Sequence, residues 1–282
     1  IHNDRKIAQQ YPDIDMIFGG HTQHLLPQGE QIGSTLLAAA GKHCEHIGKA
    51  HIVFDHERKQ VVSKEAQTVR VIDQPQDEKT ADWLKVYEKK ARAILNEPVI
   101  TTDQNIEVNT FKTTHVMEAF TQTLLEWTNA DVAMLNGGLL LDSLSNGTVT
   151  YGDVHRICPH PINPVVVKLS GQELLEVIRV THTEEWMHTH LEGFGFRGTV
   201  LGKAVYAGLH IETDKHPNGQ YIIKHVTQNG LPIDNEQEYT FATGDLFTFG
   251  RLIPEVAKST YKKLYLPEFL RELLVVTLRH HF

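Results

Sequence analysis

A helical repeat that runs into a strand and stops at a glycine pair constrains this chain more than any other feature. Val116, Met117, Phe120, Leu124 and Trp127 recur on one helix face over residues 113–129. Residues 131–135 then read as a strand, and Asn136-Gly137-Gly138 ends it in a loop. Downstream, residues 165–169 read as a strand, and Ser170-Gly171-Gln172-Glu173 is a capping box opening a helix through Ile178. Asn218-Gly219 and Asn229-Gly230 mark turns between extended runs at 205–211, 221–226 and 239–243. The second part of the chain is therefore expected to be a mixed α/β unit.

The part before it is rich in strands. Residues 4–10 read as the end of a helix, and Asp15-Met16-Ile17-Phe18 as a buried strand that stops at Gly19-Gly20. Residues 36–40, 46–54 and 61–71 read as further strands. Between the two parts, Trp83, Val86, Tyr87, Ala91, Ile94 and Leu95 recur at helical spacing over residues 77–96, flanked by Gln74-Pro75 and Glu97-Pro98. A helix between two proline stops suits a connector. The 282 residues accommodate two domains of roughly 100–200 residues each, with boundaries expected at 1–73, 74–98 and 99–282.

Charge narrows the partners. Lys and Arg number 27 against 35 Asp and Glu, a net charge of −8 with no long run of one sign. Nucleic-acid binders normally carry a basic stripe, so no nucleic acid is expected, and an anionic membrane surface is disfavoured likewise. The apolar runs Leu139-Leu140-Leu141 and Leu273-Leu274-Val275-Val276 fall far short of the roughly 20 residues of a membrane span. Cys44 and Cys158 lack CxxC or CxxH spacing, which fits reduced thiols in a cytoplasmic protein, although one bridge stays open. The first residue is Ile1, so an extracytoplasmic location stays open too.

The sharpest chemical motif is Gly19-Gly20-His21-Thr22-Gln23-His24, just beyond a predicted strand. Loops at the carboxyl ends of strands converge on a crevice in α/β folds, where imidazole and amide groups can bind a cation. The plain alternative is a polar surface loop with two histidines. Preceded by Tyr11-Pro12-Asp13-Ile14-Asp15, the motif resembles the last metal-ligand motif of the calcineurin-like metallophosphoesterases. Asn136-Gly137-Gly138, the Gly-Thr-Val-Thr-Tyr-Gly-Asp of residues 147–153, the segment from Pro159 to Asn163, and the Lys-Leu-Ser-Gly-Gln-Glu-Leu of residues 168–174 follow in order the C-terminal domain of the 5′-nucleotidase family.

The resemblance implies the tail of a metallophosphoesterase β-sandwich, a linker helix and a substrate-recognition domain, in a chain truncated at its N-terminus. It implies two divalent ions, commonly Zn²⁺ or Mn²⁺, with His21 and Gln23 among their ligands and His24 as a neighbour or alternative. The family's other ligands lie upstream, and Ile1-His2-Asn3-Asp4 lacks the context that would make His2 one of them. This chain alone is accordingly expected to be inactive. The resemblance further implies a nucleotide or another small phosphate ester as substrate, with Asn136, Gly137, Gly138 and Asn163 holding its polar parts and two Phe rings clamping a base. The family's arginine after the glycine pair is replaced by Leu139-Leu140-Leu141. Phe194 and Phe196 lie near the first aromatic position, where the register places Lys203, and Phe247 and Phe249 near the second. Core packing is the alternative for both of the latter.

Other polar residues carry less. His43, His46, His51 and His56 cannot all aim at one point along a strand, and His182, His188 and His190 fall in a polar stretch, so surface positions are expected. Ser143, Ser145 and Ser170 lack a nucleophile elbow, and neither a dinucleotide fingerprint nor a P-loop occurs. The leading expectation is a piece of a metal-dependent phosphoesterase. A non-catalytic ligand-binding module is the alternative from another class, and a histidine-rich metal store, favoured only by the 18 histidines, is a third.

Overall fold

A computed structural model describes residues 1–72, 74–191, 193, 195–215, 221–250 and 252–282. The chain divides into two compact units, Ile1–Val86 and Tyr87–Phe282. The turn expected at Asn218-Gly219, and Phe194, lie outside the described residues.

The first unit opens with α1 (His2–Gln10), followed by β1 (Met16–Phe18), β2 (Glu30–Ile32) and β3 (Thr35–Ala38). They form a three-stranded sheet in the order β1-β3-β2, with β1 parallel to β3. A long antiparallel ribbon follows, β4 (His46–Asp55) with β5 (Gln60–Arg70). Then α2 (Glu78–Leu95) crosses from the first unit into the second. One sequence expectation needs correcting. β1 is half-exposed rather than buried, with Phe18 at 68% exposure. None of the residues of α2 is buried.

The second unit is built on a five-stranded mixed sheet, and its elements are, in chain order, β6 (Pro98–Thr102), α3 (His115–Thr128), β7 (Val132–Asn136), β8 (Gly147–Thr150), α4 (Tyr151–Ile157), β9 (Pro164–Ser170), α5 (Gly171–Thr181) and α6 (Glu184–Met187). They continue with β10 (Ala204–Ala207), β11 (His210–Lys215), β12 (Tyr221–Gln228), β13 (Leu231–Pro232), β14 (Glu238–Gly244), α7 (Pro254–Lys258), β15 (Lys262–Leu264) and α8 (Leu270–His281). The sheet order is β10-β7-β14-β9-β15. β7 and β14 run parallel, and β10 and β9 run antiparallel to them. β11-β12-β13 and the β6-β8 pair form smaller sheets.

Val132–Leu135 and Val165–Leu169 are strands because their β-branched and apolar side chains pack a pleated surface on both sides. Val116, Met117, Phe120 and Leu124 of α3 are buried, and α3 packs against β7, β10, β14 and α8. Leu273-Leu274-Val275-Val276 lies within α8, whose Leu270, Leu273, Leu274 and Leu278 are buried. The extended run at 205–211 is two strands rather than one. Gly208 breaks it at φ +82°, and a Cβ there would lie 2.4 Å from the Asp131 carbonyl. No helix among the described residues is long and apolar enough to cross a membrane.

Candidate functional site

The topology of the second sheet decides which loops meet. β14 runs parallel to β7 with Ala242 opposite Ala133, so Asp245 emerges level with Asn136. β10 pairs Ala204 with Asn136, and β9 pairs Pro164 with Gly244. One sheet edge therefore carries Asn136-Gly137-Gly138, Asn163, Lys203 and the turn Asp245–Phe249. In α/β sheets such carboxyl-end crevices bind ligands. Four sequence segments far apart in the chain are brought together.

Asn136 is fully buried; its Nδ2 donates to the Leu201 carbonyl at 2.6 Å, while its Oδ1 has no partner among the described residues. An unfilled buried acceptor costs about 1–3 kcal/mol. Asn163 donates Nδ2 to the Glu268 carbonyl at 2.7 Å, and its own carbonyl accepts from the Asp245 amide at 2.9 Å. Burial pushes the Asp245 carboxyl up to about 6, against the opposing pull of the Asn163 and Leu246 amides. Phe247 is a core residue at 1% exposure, stacked on Trp186 at 6.3 Å, whereas Phe249 is 54% exposed. Of the two rings, only that of Phe249 is open to solvent.

The glycine pair works through shape. Gly137 N–H donates to the Lys203 carbonyl and Gly138 N–H to the Leu201 carbonyl, both at 2.8 Å, so these two amides are already engaged. A Cβ would fall 2.4 Å from the Thr110 carbonyl at Gly137 and 2.0 Å from the Val200 carbonyl at Gly138. Only glycine permits three backbone segments to pack so closely. Of the leucines that follow, Leu139 and Leu140 are buried and Leu141 is exposed.

Sequence reasoning overlooked His160. It is fully buried, with Nδ1 accepting from the Arg197 amide at 2.9 Å, so Nε2 carries the proton and donates to the Leu139 carbonyl at 2.8 Å. Its ring lies parallel to Phe196, centroids 5.1 Å apart. Burial pushes its pKa down to about 4, and the Arg197 and Arg271 charges push the same way. The flanking Pro159 and Pro161 were the available signal, since prolines fix the loop that sets the ring in place. Similarly, His182 is half-buried and stacked on Tyr206 rather than a surface residue.

In the first unit, His21, Gln23 and His24 occupy the loop after β1. Gln23 has φ 57°, its amide donating to the Gly20 carbonyl at 2.9 Å. His21 and His24 are exposed, Gln23 is half-buried, and His24 Nδ1 lies 2.9 Å from Thr22 Oγ1. Imidazole and amide donors suit a borderline cation. Among the described residues, however, no three His, Cys, Asp or Glu side chains gather as a metal cage, so this loop offers only part of one. His43, His51 and His56 are exposed and His46 half-exposed. Cys44 and Cys158 are free thiols.

Known proteins bear on both units. The 5′-nucleotidase C-terminal domain matches residues 94–251. The metallophosphoesterase YunD of Bacillus subtilis is 37% identical over 275 residues, 97% of this chain and 60% of its own length. A Vibrio parahaemolyticus 5′-nucleotidase is 25% identical over 209 residues, 61% of this chain and 37% of its own. Among solved structures, a Staphylococcus aureus protein described as a 5′-nucleotidase, in complex with alpha-ketoglutarate, superposes with a TM-score of 0.71 at 20% identity, over 98% of this chain and 55% of that one. This chain thus spans about 60% of the length of YunD. With the profile covering more than half of its residues, the chain belongs to the family of the 5′-nucleotidase C-terminal domain.

Proposed function

We propose that residues 99–282 are the substrate-recognition domain of a metal-dependent phosphoesterase acting on nucleotides or related phosphate esters. On this reading residues 74–98 form the linker, and residues 1–73 contribute His21 and Gln23, with His24 beside them, to a two-metal site completed by other parts of a longer protein. The observation that supports it most is the convergence of Asn136, Asn163, Asp245 and the exposed Phe249 ring on one sheet edge, with the Asn136 Oδ1 acceptor unfilled. Asn136 and Asn163 fix the loops that carry the polar contacts, Gly137 and Gly138 let those loops close on one another, and Phe249 offers a face to a base. Phe247 supports that turn from the core. Bound divalent ions would activate a water for attack on phosphorus, and this chain alone is expected to lack that activity.

The test uses the longer protein with Mn²⁺ or Zn²⁺ and a panel of nucleoside monophosphates, cyclic nucleotides and nucleotide sugars. Hydrolysis of at least one class is expected. His21→Ala should lower metal occupancy and rate together. Phe249→Ala should raise KM by an amount corresponding to about 1–3 kcal/mol of stacking, with kcat less affected. Nucleotide binding without hydrolysis would instead return the binding-module reading, and unchanged metal content in His21→Ala would remove that residue from the ligand set.

A further inference from the structure

On the flank of β10 lies a cavity of about 220 Å³. Pockets for drug-sized ligands run to roughly 300–1,000 Å³, so an occupant here is a small metabolite. One wall is aromatic. His182 stacks on Tyr206 with centroids 5.8 Å apart and planes 17° apart, and the Tyr206 hydroxyl is bonded to Thr181 Oγ1 at 2.7 Å. His182 Nδ1 lies 2.7 Å from the Ile178 carbonyl, which can only accept; Nδ1 therefore holds the proton and Nε2 keeps its lone pair. Burial and the nearby Lys203 charge both hold this imidazole below its ordinary pKa, hence neutral. Met187, Val205, Leu209 and Ile211 make the apolar part of the lining.

Two opposite charges line the same cavity, Lys203 and Glu118. Lys203 Nζ sits 5.6 Å from the centroid of the Tyr221 ring, a cation–π contact, and no carboxylate among the described residues pairs with it. Elsewhere in this unit Lys168 pairs with Glu238, Arg179 with Glu176 and Lys224 with Asp214. Among the described residues neither Lys203 nor Glu118 forms an ion pair, although both face one cavity. A purely anionic ligand would leave Glu118 repelling it, and a purely cationic one would leave Lys203 doing the same. A zwitterion with an apolar body answers every wall.

We propose that this cavity binds a free α-amino acid with an apolar side chain, its carboxylate at Lys203, its ammonium at Glu118 and its side chain against Met187, Val205 and Leu209. Neutral His182 Nε2 is an acceptor for a second ammonium proton. All residues lining the cavity lie in Tyr87–Phe282, and Lys203 also sits at the sheet edge proposed above for the phosphate ester.

Titration calorimetry on the purified chain tests it with L-leucine and L-phenylalanine, and with 4-methylpentanoate and isoamylamine, which each lack one charge of leucine. Saturable binding of at least one amino acid is expected, with each single-charge analogue of leucine weaker by about tenfold or more. Glu118→Gln, on the exposed first turn of α3, should weaken leucine to the level of 4-methylpentanoate without altering the latter. Lys203→Gln should weaken leucine to the level of isoamylamine. If Lys203→Gln disturbs the neighbouring loop, seen as a lowered Tm, the Glu118→Gln comparison decides alone. No saturation by either amino acid up to about 10 mM, equal affinity for the three leucine-sized probes, or leucine binding indifferent to Glu118→Gln would overturn the proposal.

Discussion

His160 shows how much one buried ring can organise. Its two nitrogens join the Gly137–Leu139 turn to the loop entering Arg197, and the bond that Nδ1 accepts from the Arg197 amide requires the neutral form. With a folded pKa of about 4 against 6.5 in the unfolded chain, the unfolded state binds more protons between those values. This group's contribution is therefore complete above pH 6.5 and is lost as pH falls through about 4. The size is on the order of 3 kcal/mol. Glutamine presents an amide donor and a carbonyl acceptor but does not titrate in this range. His160→Gln should give up the stacking on Phe196 at pH 7 and show a flatter loss of stability toward pH 4.5. Urea unfolding of both proteins at the two pH values measures it, and parallel curves would mean that His160 is not held neutral in the fold.

At the scale of elements, local chemistry was the legible part. Ser170 and Glu173 announce a helix start and form the reciprocal cap, Ser170 Oγ accepting from the Glu173 amide at 3.3 Å while the Glu173 carboxylate accepts from the Ser170 amide at 2.8 Å. Ser170→Ala should cost about 1 kcal/mol, read as a lowered urea midpoint with an unchanged slope; no shift would mean that β9 and β14 alone fix the start of α5. Thr150 and Asp153 make an equivalent cap on α4, which the sequence reading absorbed into a family motif without seeing a helix. α8 was missed because its apolar run was weighed only as a membrane span, whereas its burial depends on α3 supplying a face, with Thr277 bonded to Thr123 at 2.9 Å. Of the candidate site, Asn136 was legible as the end of a strand, and Asn163 and the glycine pair as loop residues. That Phe247 points into the core while Phe249 faces solvent follows from the tight turn Asp245–Phe249, and alternation along a strand gives no guide to it. His160 and Asp245 gain their shifted pKa values chiefly from burial, which is a property of the assembled sheet.

Across the whole molecule, the two units differ sharply in what holds them. Among the described residues of Ile1–Val86, the buried hydrophobics are Ala8, Leu36, Leu37 and Ala39, and the β4-β5 ribbon leaves Ile47, Ile52, Phe54 and Val62 exposed. Tyr87–Phe282 instead buries one cluster that includes Met117, Phe120, Leu124, Phe241 and Phe247. A buried leucine contributes about 1.5–3 kcal/mol, while ordering each residue costs about 1–2 kcal/mol of backbone entropy, so four buried apolar residues stabilise a unit of that size weakly. Calorimetry should resolve two transitions, the first of low enthalpy and assignable to residues 1–86. Limited proteolysis should cut within residues 1–96 first and leave a resistant product beginning near Pro98, because α2 has no buried residue to protect it. A single transition whose calorimetric and van't Hoff enthalpies agree would instead mean that the first unit draws its stability from the second, and the division at Val86 would lose its energetic meaning.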